Sequence, residues 1–155
     1  RGVAEQQLTS QNVKRIGTAI GSEALDQNIT SLLVGYDGRL SSPALSIALI
    51  EGIRSSGCSA VSIGLVPTPL LYFATYATDY ASGVMLTASH NPTNYNGLKI
   101  VFNQNSLVEN QIQKIRTRIE NDQLRTGSGK FSDLEVDRSY IDDICTRIQL
   151  SKPLK

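Results

Sequence analysis

The feature that most constrains this fold is the alternation of short apolar runs with longer segments of helical periodicity. Four runs have the length of buried strands, at residues 32–36, 60–63, 83–87 and 98–102. Helical segments separate the first three runs, and such βαβ units form right-handed crossovers in a mainly parallel sheet. The link between the last two runs is too short for a crossover helix. We therefore predict a three-layer α/β/α domain with a four-stranded mixed sheet whose last strand is antiparallel.

The first helical segment covers residues 9–27 and has one apolar stripe. The stripe consists of Val13, Ile16, Ile20 and Ala24. Thr9 or Ser10 suits the start, because a side-chain oxygen there accepts a hydrogen bond from a free backbone N–H. The second helix is expected to start with Ser42 as its cap and to end near Gly57, a residue suited to a left-handed helix end.

The remaining helices are marked by similar signals. A third helix follows Pro67 and ends near Asp79. Ser106 and Glu109 have the spacing of a capping box and predict the start of a fourth helix. Its expected apolar face consists of Val108, Ile112, Ile115 and Ile119. Residues 122–135 are polar and rich in glycine, which indicates an exposed loop. A last helix is predicted at 137–149, with isoleucines at 141, 144 and 148.

The composition of the chain limits the kinds of partner that it can bind. The 155 residues have the size of one domain, and the net charge of +1 provides no basic surface for nucleic acid or acidic membranes. The sequence contains no apolar stretch as long as a membrane span and no signal-peptide pattern, so we expect a cytoplasmic protein. The cysteines, Cys58 and Cys145, are far apart and lack metal-type spacing. Two buried reduced thiols are favoured over a disulfide.

The candidate site lies in the polar loop between the third and fourth strands. Residues 87–92 read Thr-Ala-Ser-His-Asn-Pro, and residues 95–99 read Tyr-Asn-Gly-Leu-Lys. Loops at the ends of strands often carry functional groups, because the scaffold holds them still. The turn at residues 37–42 follows another parallel strand. Because the turn and the serine loop both lie at the carboxyl ends of parallel strands, we expect them to meet at one edge of the sheet.

Each polar residue of this loop also has a purely structural interpretation. Ser89 is a weak nucleophile unless a neighbour activates it, and loop serines often bond to their own turn. His90 fits an ordinary hydrogen-bonded loop histidine, and Lys99 fits an edge-strand lysine that opposes aggregation. A serine hydrolase is disfavoured, because the chain has no Gly-x-Ser-x-Gly elbow and Ser89 is adjacent to His90 in sequence.

These motifs resemble the α-D-phosphohexomutases, the phosphomannomutase/phosphoglucomutase family. The serine loop resembles the active-site loop of that family. Residues 36–42, Tyr-Asp-Gly-Arg-Leu-Ser-Ser, are similar to a family Arg-Asp-Gly-Arg-x-Ser-Ser segment, with tyrosine in place of the first arginine. Arg1 and Gly2 resemble the end of a Tyr-Asp-Ile-Arg-Gly segment, and residues 64–69 also match. The resemblance extends from Arg1 to about Tyr140 and implies the first, serine-bearing domain of the family.

The resemblance implies roles for individual residues. Ser89 would carry a phosphoryl group, donate it to a sugar monophosphate and accept a different one in return. Lys99 would transfer a proton or stabilise charge beside the phosphate, His90 would assist, and Arg1 would reach into the cleft. Such cations suit phosphoryl transfer, which spreads negative charge over several oxygens. Asp37 and Arg39 are interpreted mainly as scaffold that supports the serine loop. The less favoured alternative is a direct contact between an anion and the start of the helix at Ser42.

The resemblance also implies Mg²⁺ and a hexose 1,6-bisphosphate activator. The only metal ligand expected from this chain is a phosphate oxygen on Ser89, because the Asp-Gly-Asp-Gly-Asp-Arg loop of the family does not occur. We therefore expect residues 1–150 to form domain I and residues 151–155 to begin a linker to a missing second domain. The partners would be a sugar phosphate and the remaining domains, and the isolated domain would be inactive.

Two other functions are compatible with the sequence. A phosphoserine-type sugar phosphatase would lose its phosphoryl group to water instead of to a sugar. A non-catalytic anion-binding or assembly module would use the loop without chemistry.

Overall fold

The structure is a computed structural model that describes residues 1–148. The strands are β1 Gly2–Val3, β2 Ser31–Tyr36, β3 Ser59–Leu65, β4 Gly83–Leu86, β5 Tyr95–Asn96, β6 Leu98–Phe102, β7 Asn105–Ser106 and β8 Phe131–Asp133. The helices are α1 Ser10–Asp26, α2 Ser42–Ser55, α3 Thr68–Ala77, α4 Glu109–Glu120 and α5 Asp137–Arg147. The predicted linker at 151–155 lies outside the described residues.

The main sheet has the strand order β7-β6-β4-β2-β3-β8. Its centre confirms the prediction, since β3, β2 and β4 are parallel and β6 pairs antiparallel with β4. The predicted count of four strands was wrong, because the sheet has six, and β1 and β5 form a separate two-stranded sheet. The additional strands contain two or three residues each. Such short segments cannot show an apolar period.

Strand β7 follows β6 through a tight turn. Asn103 and Gln104 both have positive φ, +48° and +65°. This is the pattern of a type I′ turn, the connection that best matches the twist of paired strands. The predicted capping box at Ser106 was therefore wrong, because Ser106 lies in β7 and α4 begins at Glu109. The Gln111 side chain accepts a hydrogen bond from the Val108 N–H at the helix start (2.9 Å).

The predicted loop at residues 122–135 contains an edge strand. Strand β8 pairs in parallel with β3, with Ala60 opposite Phe131. Gly129 makes this approach possible, because a Cβ there would lie 1.9 Å from the Cys58 carbonyl oxygen. The glycines that indicated a loop therefore also allow two backbones to pack closely.

Most helix boundaries agree with the predictions. Thr9 caps α1 and accepts from the Asn12 N–H at 3.2 Å. Gly57 has φ +98° at the end of α2, as expected of a left-handed helix end. Ser42 was wrongly predicted to cap α2, because its hydroxyl donates to Asp37 Oδ1 at 2.7 Å instead.

The core has two halves, one on each face of the sheet. Helices α1 and α2 cover the face that contains Leu32 and Val34, whereas α3 covers the face that contains Leu33. The stripe predicted for α1 is confirmed, since its valine, alanine and second isoleucine are fully buried. The face predicted for α4 was half correct. Ile115 is buried and Ile119 packs against the core, but Val108 and Ile112 are exposed, because the helix contacts the domain through one edge.

Two further predictions concern the cysteines and the membrane. Both cysteines are free, and Cys58 is buried. The prediction of a second buried thiol was wrong, because Cys145 lies on the exposed side of α5, which packs against α3 through the rings of Phe73 and Tyr140. Within residues 1–148, no helix combines the length and apolar character needed to cross a membrane.

Candidate active site

The serine loop and the 37–42 turn meet at the carboxyl edge of the parallel strands, as predicted. The loop follows β4 and the turn follows β2, and these strands are neighbours in the sheet. The Asp37 N–H donates to the Leu86 carbonyl oxygen at 3.1 Å. Residues about fifty positions apart in sequence therefore form one structural unit, at the edge where open α/β sheets bind ligands.

Ser89 has an unusual backbone conformation. Its φ is +58°, in the left-handed region that few residues other than glycine adopt. Its N–H donates to Thr87 Oγ1 at 2.9 Å, and the Asn91 N–H donates to the Ala88 carbonyl oxygen at 3.2 Å. These bonds form a tight turn that leaves Ser89 partly exposed. Non-glycine residues in this conformation cost about 1–3 kcal/mol and occur often at functional sites.

The guanidinium group of Arg39 donates hydrogen bonds to the backbone of this turn through both of its Nη atoms. Nη1 donates to the carbonyl oxygens of Pro92 (2.7 Å) and Tyr95 (3.1 Å). Nη2 donates to those of Ser89 (2.8 Å) and Asn91 (2.9 Å). These contacts confirm that Arg39 is a scaffold residue of the serine loop.

Asp37 and Asn96 extend the network to the start of α2. Asp37 Oδ2 accepts from Arg39 Nε at 3.2 Å, while Oδ1 accepts from Ser42 Oγ. Asn96 Nδ2 donates to the hydroxyls of Ser41 (2.9 Å) and Ser42 (3.0 Å). Asn96 is fully buried, so these bonds satisfy groups that water does not reach. The role of Asn96 was not predicted from the sequence, although a polar residue just before an apolar strand was a signal.

The chain start contacts the outer side of the loop. β1 pairs with β5 and places Gly2 opposite Asn96. Arg1 Nη1 donates to Asn91 Oδ1 at 3.0 Å. A Cβ at Gly97 would lie 2.8 Å from Arg1 Cγ and 3.0 Å from the Thr87 carbonyl oxygen, so a side chain there would displace Arg1 or the loop backbone. The structure therefore brings Arg1 to the serine loop.

The other two predicted site residues lie at the same edge. His90 is exposed and follows Ser89 directly. Lys99 is the second residue of β6 and pairs with Met85, so it projects from the face that α3 covers. Within residues 1–148, neither side chain forms a hydrogen bond with Ser89, so the loop contains no serine–histidine pair of the hydrolase type.

The loop surroundings offer space but few metal ligands. A surface depression of about 430 Å³ is lined by Thr93 and residues 37–40. This volume falls in the range of small-molecule sites. In the described part of the chain, no three histidine, cysteine, aspartate or glutamate residues are grouped as a metal site would need. Asp37, the nearby carboxylate, is already bonded to Arg39 and Ser42. These residues do not fit a complete Mg²⁺ site, which needs near-octahedral oxygen ligands.

Known proteins that are similar in sequence to this chain are named phosphomannomutase/phosphoglucomutase or phosphoglucomutase. The chain is 44% identical to a phosphomannomutase/phosphoglucomutase of Pseudomonas aeruginosa, over all 155 residues and 34% of that protein. It is 35% identical to a phosphoglucomutase of Neisseria meningitidis, over 99% of this chain and 34% of that protein. The chain thus spans about a third of the length of these relatives.

A solved structure and a family profile agree with these relatives. A phosphoglucomutase/phosphomannomutase family protein of Burkholderia thailandensis superposes with a TM-score of 0.94 at 37% identity, over 99% of this chain and 35% of that one. A family profile described as phosphoglucomutase/phosphomannomutase, α/β/α domain I, matches residues 1–126. The chain therefore belongs to the phosphoglucomutase/phosphomannomutase family, as its α/β/α domain I.

Proposed function

We propose that this chain is the first domain of a mutase that interconverts hexose 1-phosphate and hexose 6-phosphate, with Ser89 as the phosphoryl carrier. The observation that supports this role is the conformation of Ser89. A network of hydrogen bonds holds the serine in the left-handed region, at the sheet edge where ligands bind. The substrate class is mannose or glucose phosphate, the sugars in the names of the relatives.

The proposed reaction moves one phosphoryl group in each direction. In the first step, the bond between phosphorus and Ser89 Oγ breaks and a bond forms to the oxygen of the free sugar hydroxyl. The hydroxyl proton passes to a base, and Ser89 Oγ takes up a proton as it leaves. The product is a hexose 1,6-bisphosphate. In the second step, Ser89 Oγ loses its proton and bonds to the other phosphorus of that intermediate, while the bond from this phosphorus to the sugar oxygen breaks and the sugar oxygen takes up a proton. A rigid loop suits both steps, because in-line transfer depends on positioning.

Three basic residues of this chain are assigned supporting roles. Lys99 would move the proton or stabilise charge on the transferring group, and His90 would assist from the position after Ser89. Arg1 would add positive charge beside the loop, where it already bonds to Asn91. Preorganised positive charge lowers the barrier of phosphoryl transfer, because it faces negative charge that spreads over the equatorial oxygens.

The proposal extends to components beyond this chain. Mg²⁺ would supply Lewis-acid charge stabilisation, with one ligand from a Ser89 phosphate oxygen and the others from further domains of a longer protein. That protein would be activated by a hexose 1,6-bisphosphate and work in the cytoplasm. This chain covers only 34% of the relative from Pseudomonas aeruginosa, which supports the presence of further domains in the longer protein. We therefore expect no mutase turnover from the 155 residues alone.

Peptide mass mapping of the full-length protein tests the carrier role. We expect a phosphate on the Ser89 peptide after incubation with a hexose 1,6-bisphosphate. In Ser89→Ala, we expect this phosphate to be absent and mutase activity to fall at least about 10⁴-fold, since no other nucleophile replaces the hydroxyl. Ser128→Ala is the matched control, because Ser128 lies in an exposed segment far along the chain.

Three results would contradict the proposal in different ways. A phosphate on Ser89 that passes to water without sugar product would indicate a phosphatase. No phosphate under any condition, with activity intact in Ser89→Ala, would exclude the carrier role. Full turnover by residues 1–155 would show that further domains are unnecessary.

A further inference from the structure

Arg39 lies next to a proposed phosphate site but has no donor left for a phosphate. A guanidinium group has five N–H donors and no acceptor. Nε donates to Asp37, and the four remaining donors go to four carbonyl oxygens of the serine loop. The side chain is only 14% exposed. An anion could bind Arg39 only by breaking bonds that hold the loop together.

The acceptors indicate what the side chain does. One is the carbonyl oxygen of Ser89 itself, and the others belong to Asn91, Pro92 and Tyr95. Arg39 therefore fixes the backbone on both sides of the turn that contains the left-handed serine. The second anchor is Asp37, which orients the guanidinium plane and is itself bonded to the start of α2. The Arg39 and Asp37 side chains thus link the loop to the start of α2.

We propose that Arg39 is a positioning residue that sets the rate of phosphoryl transfer at Ser89 by holding the loop backbone. This inference rests on the proposed carrier role of Ser89. A displacement of about 1 Å of a reacting group can lower a rate about 100-fold, so a loosened loop slows the chemistry. Substrate binding depends on other contacts and should change little.

Lysine is the informative substitution, because it keeps the charge and removes the geometry. An ammonium group is a compact donor with three N–H bonds, so it cannot span four carbonyl oxygens and a carboxylate. If Arg39 acted only through its positive charge, Arg39→Lys would retain most of the activity. If it acts by positioning, Arg39→Lys should be impaired although the net charge is unchanged.

The experiment uses the full-length protein that contains this chain. We expect Arg39→Lys to lower kcat about 10–100-fold and to change KM less than about threefold. In single-turnover mass mapping with a hexose 1,6-bisphosphate, the rate of phosphate transfer to Ser89 should fall by the same factor. The final phosphate content should stay near that of the wild type, because a folded but misaligned loop still reacts to completion.

Two variants accompany this measurement. Arg54→Lys is the matched control, since Arg54 Nε also donates to a loop carbonyl, that of Gly129 at 3.0 Å, but near the other end of α2. Its kcat should be unchanged. Asp37→Asn tests the same inference if Arg39→Lys fails to fold, because the loop bonds of Arg39 stay and only its anchor weakens. We expect a decrease in kcat of about threefold to tenfold there, again with little change in KM.

The outcomes separate this inference from the proposed function. Wild-type transfer rates in Arg39→Lys, with Ser89 phosphorylated normally, would overturn the positioning role alone. A reduced final phosphate content with an unchanged rate constant would also overturn it, because that result indicates a misfolded fraction. Absence of phosphate on Ser89 in the wild type would overturn both proposals.

Discussion

At the scale of single residues, the site depends on buried polar groups with complete sets of partners. Asn96 is the clearest case, because its amide donates to two serine hydroxyls and its Oδ1 accepts from the Gly97 N–H at 2.9 Å. Such a group stabilises the domain only while every partner is present, since each unpaired buried polar atom costs about 1–3 kcal/mol. The serine loop and the start of α2 are therefore expected to form or open together.

The two cysteines offer a residue-scale prediction. Burial raises the pKa of the Cys58 thiol to about 12, whereas Cys145 is exposed. Since the thiolate is the reactive form, Cys58 should stay protonated and inert at about pH 8. We expect a disulfide reagent to modify one cysteine per folded chain and two after denaturation, with peptide mapping to identify Cys145. Fast labelling of both thiols in the folded chain would contradict this prediction.

At the scale of elements, the contact between α1 and α2 is made by backbone. A Cβ at Gly52 would lie 2.0 Å from the Lys14 carbonyl oxygen, and a Cβ at Gly17 would lie 2.6 Å from that of Leu49. The two helices approach so closely only because these positions have no side chain. The interface supports the site, because α2 begins at the Asp37 and Asn96 network.

Gly52→Ala tests this interface. Alanine favours an isolated helix by about 1 kcal/mol relative to glycine, but here its methyl group would force the helices apart. Overpacking should prevail, with a net loss of about 2 kcal/mol in the free energy of unfolding measured in urea. Gly38→Ala is the control, because no atom lies within 4 Å of a Cβ there and its φ is not in the left-handed region. Equal stability of both variants would show that the helices can separate without cost.

At the scale of the whole molecule, an ionic network attaches α4 to the rest of the domain. Glu23 of α1 is buried and accepts from Lys114 Nζ at 2.7 Å and from Arg118 Nη2 at 3.0 Å. Asp26 accepts from Arg118 and from Arg125. Ile115 and the partly buried Ile119 form the apolar contacts of α4, and these ion pairs add polar contacts to its attachment.

The network makes stability depend on pH. Burial by itself raises the pKa of Glu23 and of Asp26, but hydrogen bonds and charges from their basic partners outweigh burial and lower both values. Stability from a lowered carboxyl pKa is complete above the unfolded values, here 4.5 and 3.8, and is lost as the pH falls through the folded values. Acid should therefore weaken the α4 contact.

We expect the wild-type free energy of unfolding to fall as the pH is lowered from about 5 to about 3. The double variant Glu23→Gln/Asp26→Asn should be less stable at neutral pH and show a shallower decrease, because it cannot take up these protons. Urea titrations followed by circular dichroism measure both effects. Glu120→Gln is the control, since its partner Arg116 is exposed and one turn away. Parallel pH curves for wild type and double variant would contradict the prediction.

Much of this architecture could be predicted from the sequence. Local patterns in the sequence predict strands β2, β3, β4 and β6, the antiparallel direction of β6 and the N-cap of α1. The serine loop was also located in this way. Each of these features depends on periodicity, capping chemistry or loop length within a few neighbouring residues, so the sequence by itself determined them.

Only the tertiary structure decided the remaining features. The four bonds from Arg39 to the serine loop, the bonds of Asn96 to the start of α2 and the backbone contact at Gly52 join residues that are far apart in sequence. The short strands β5, β7 and β8 exist because neighbouring segments offer partners, not because of their own composition. Hydrogen bonds and close packing need matched positions in space, and these positions arise only when the whole chain has folded.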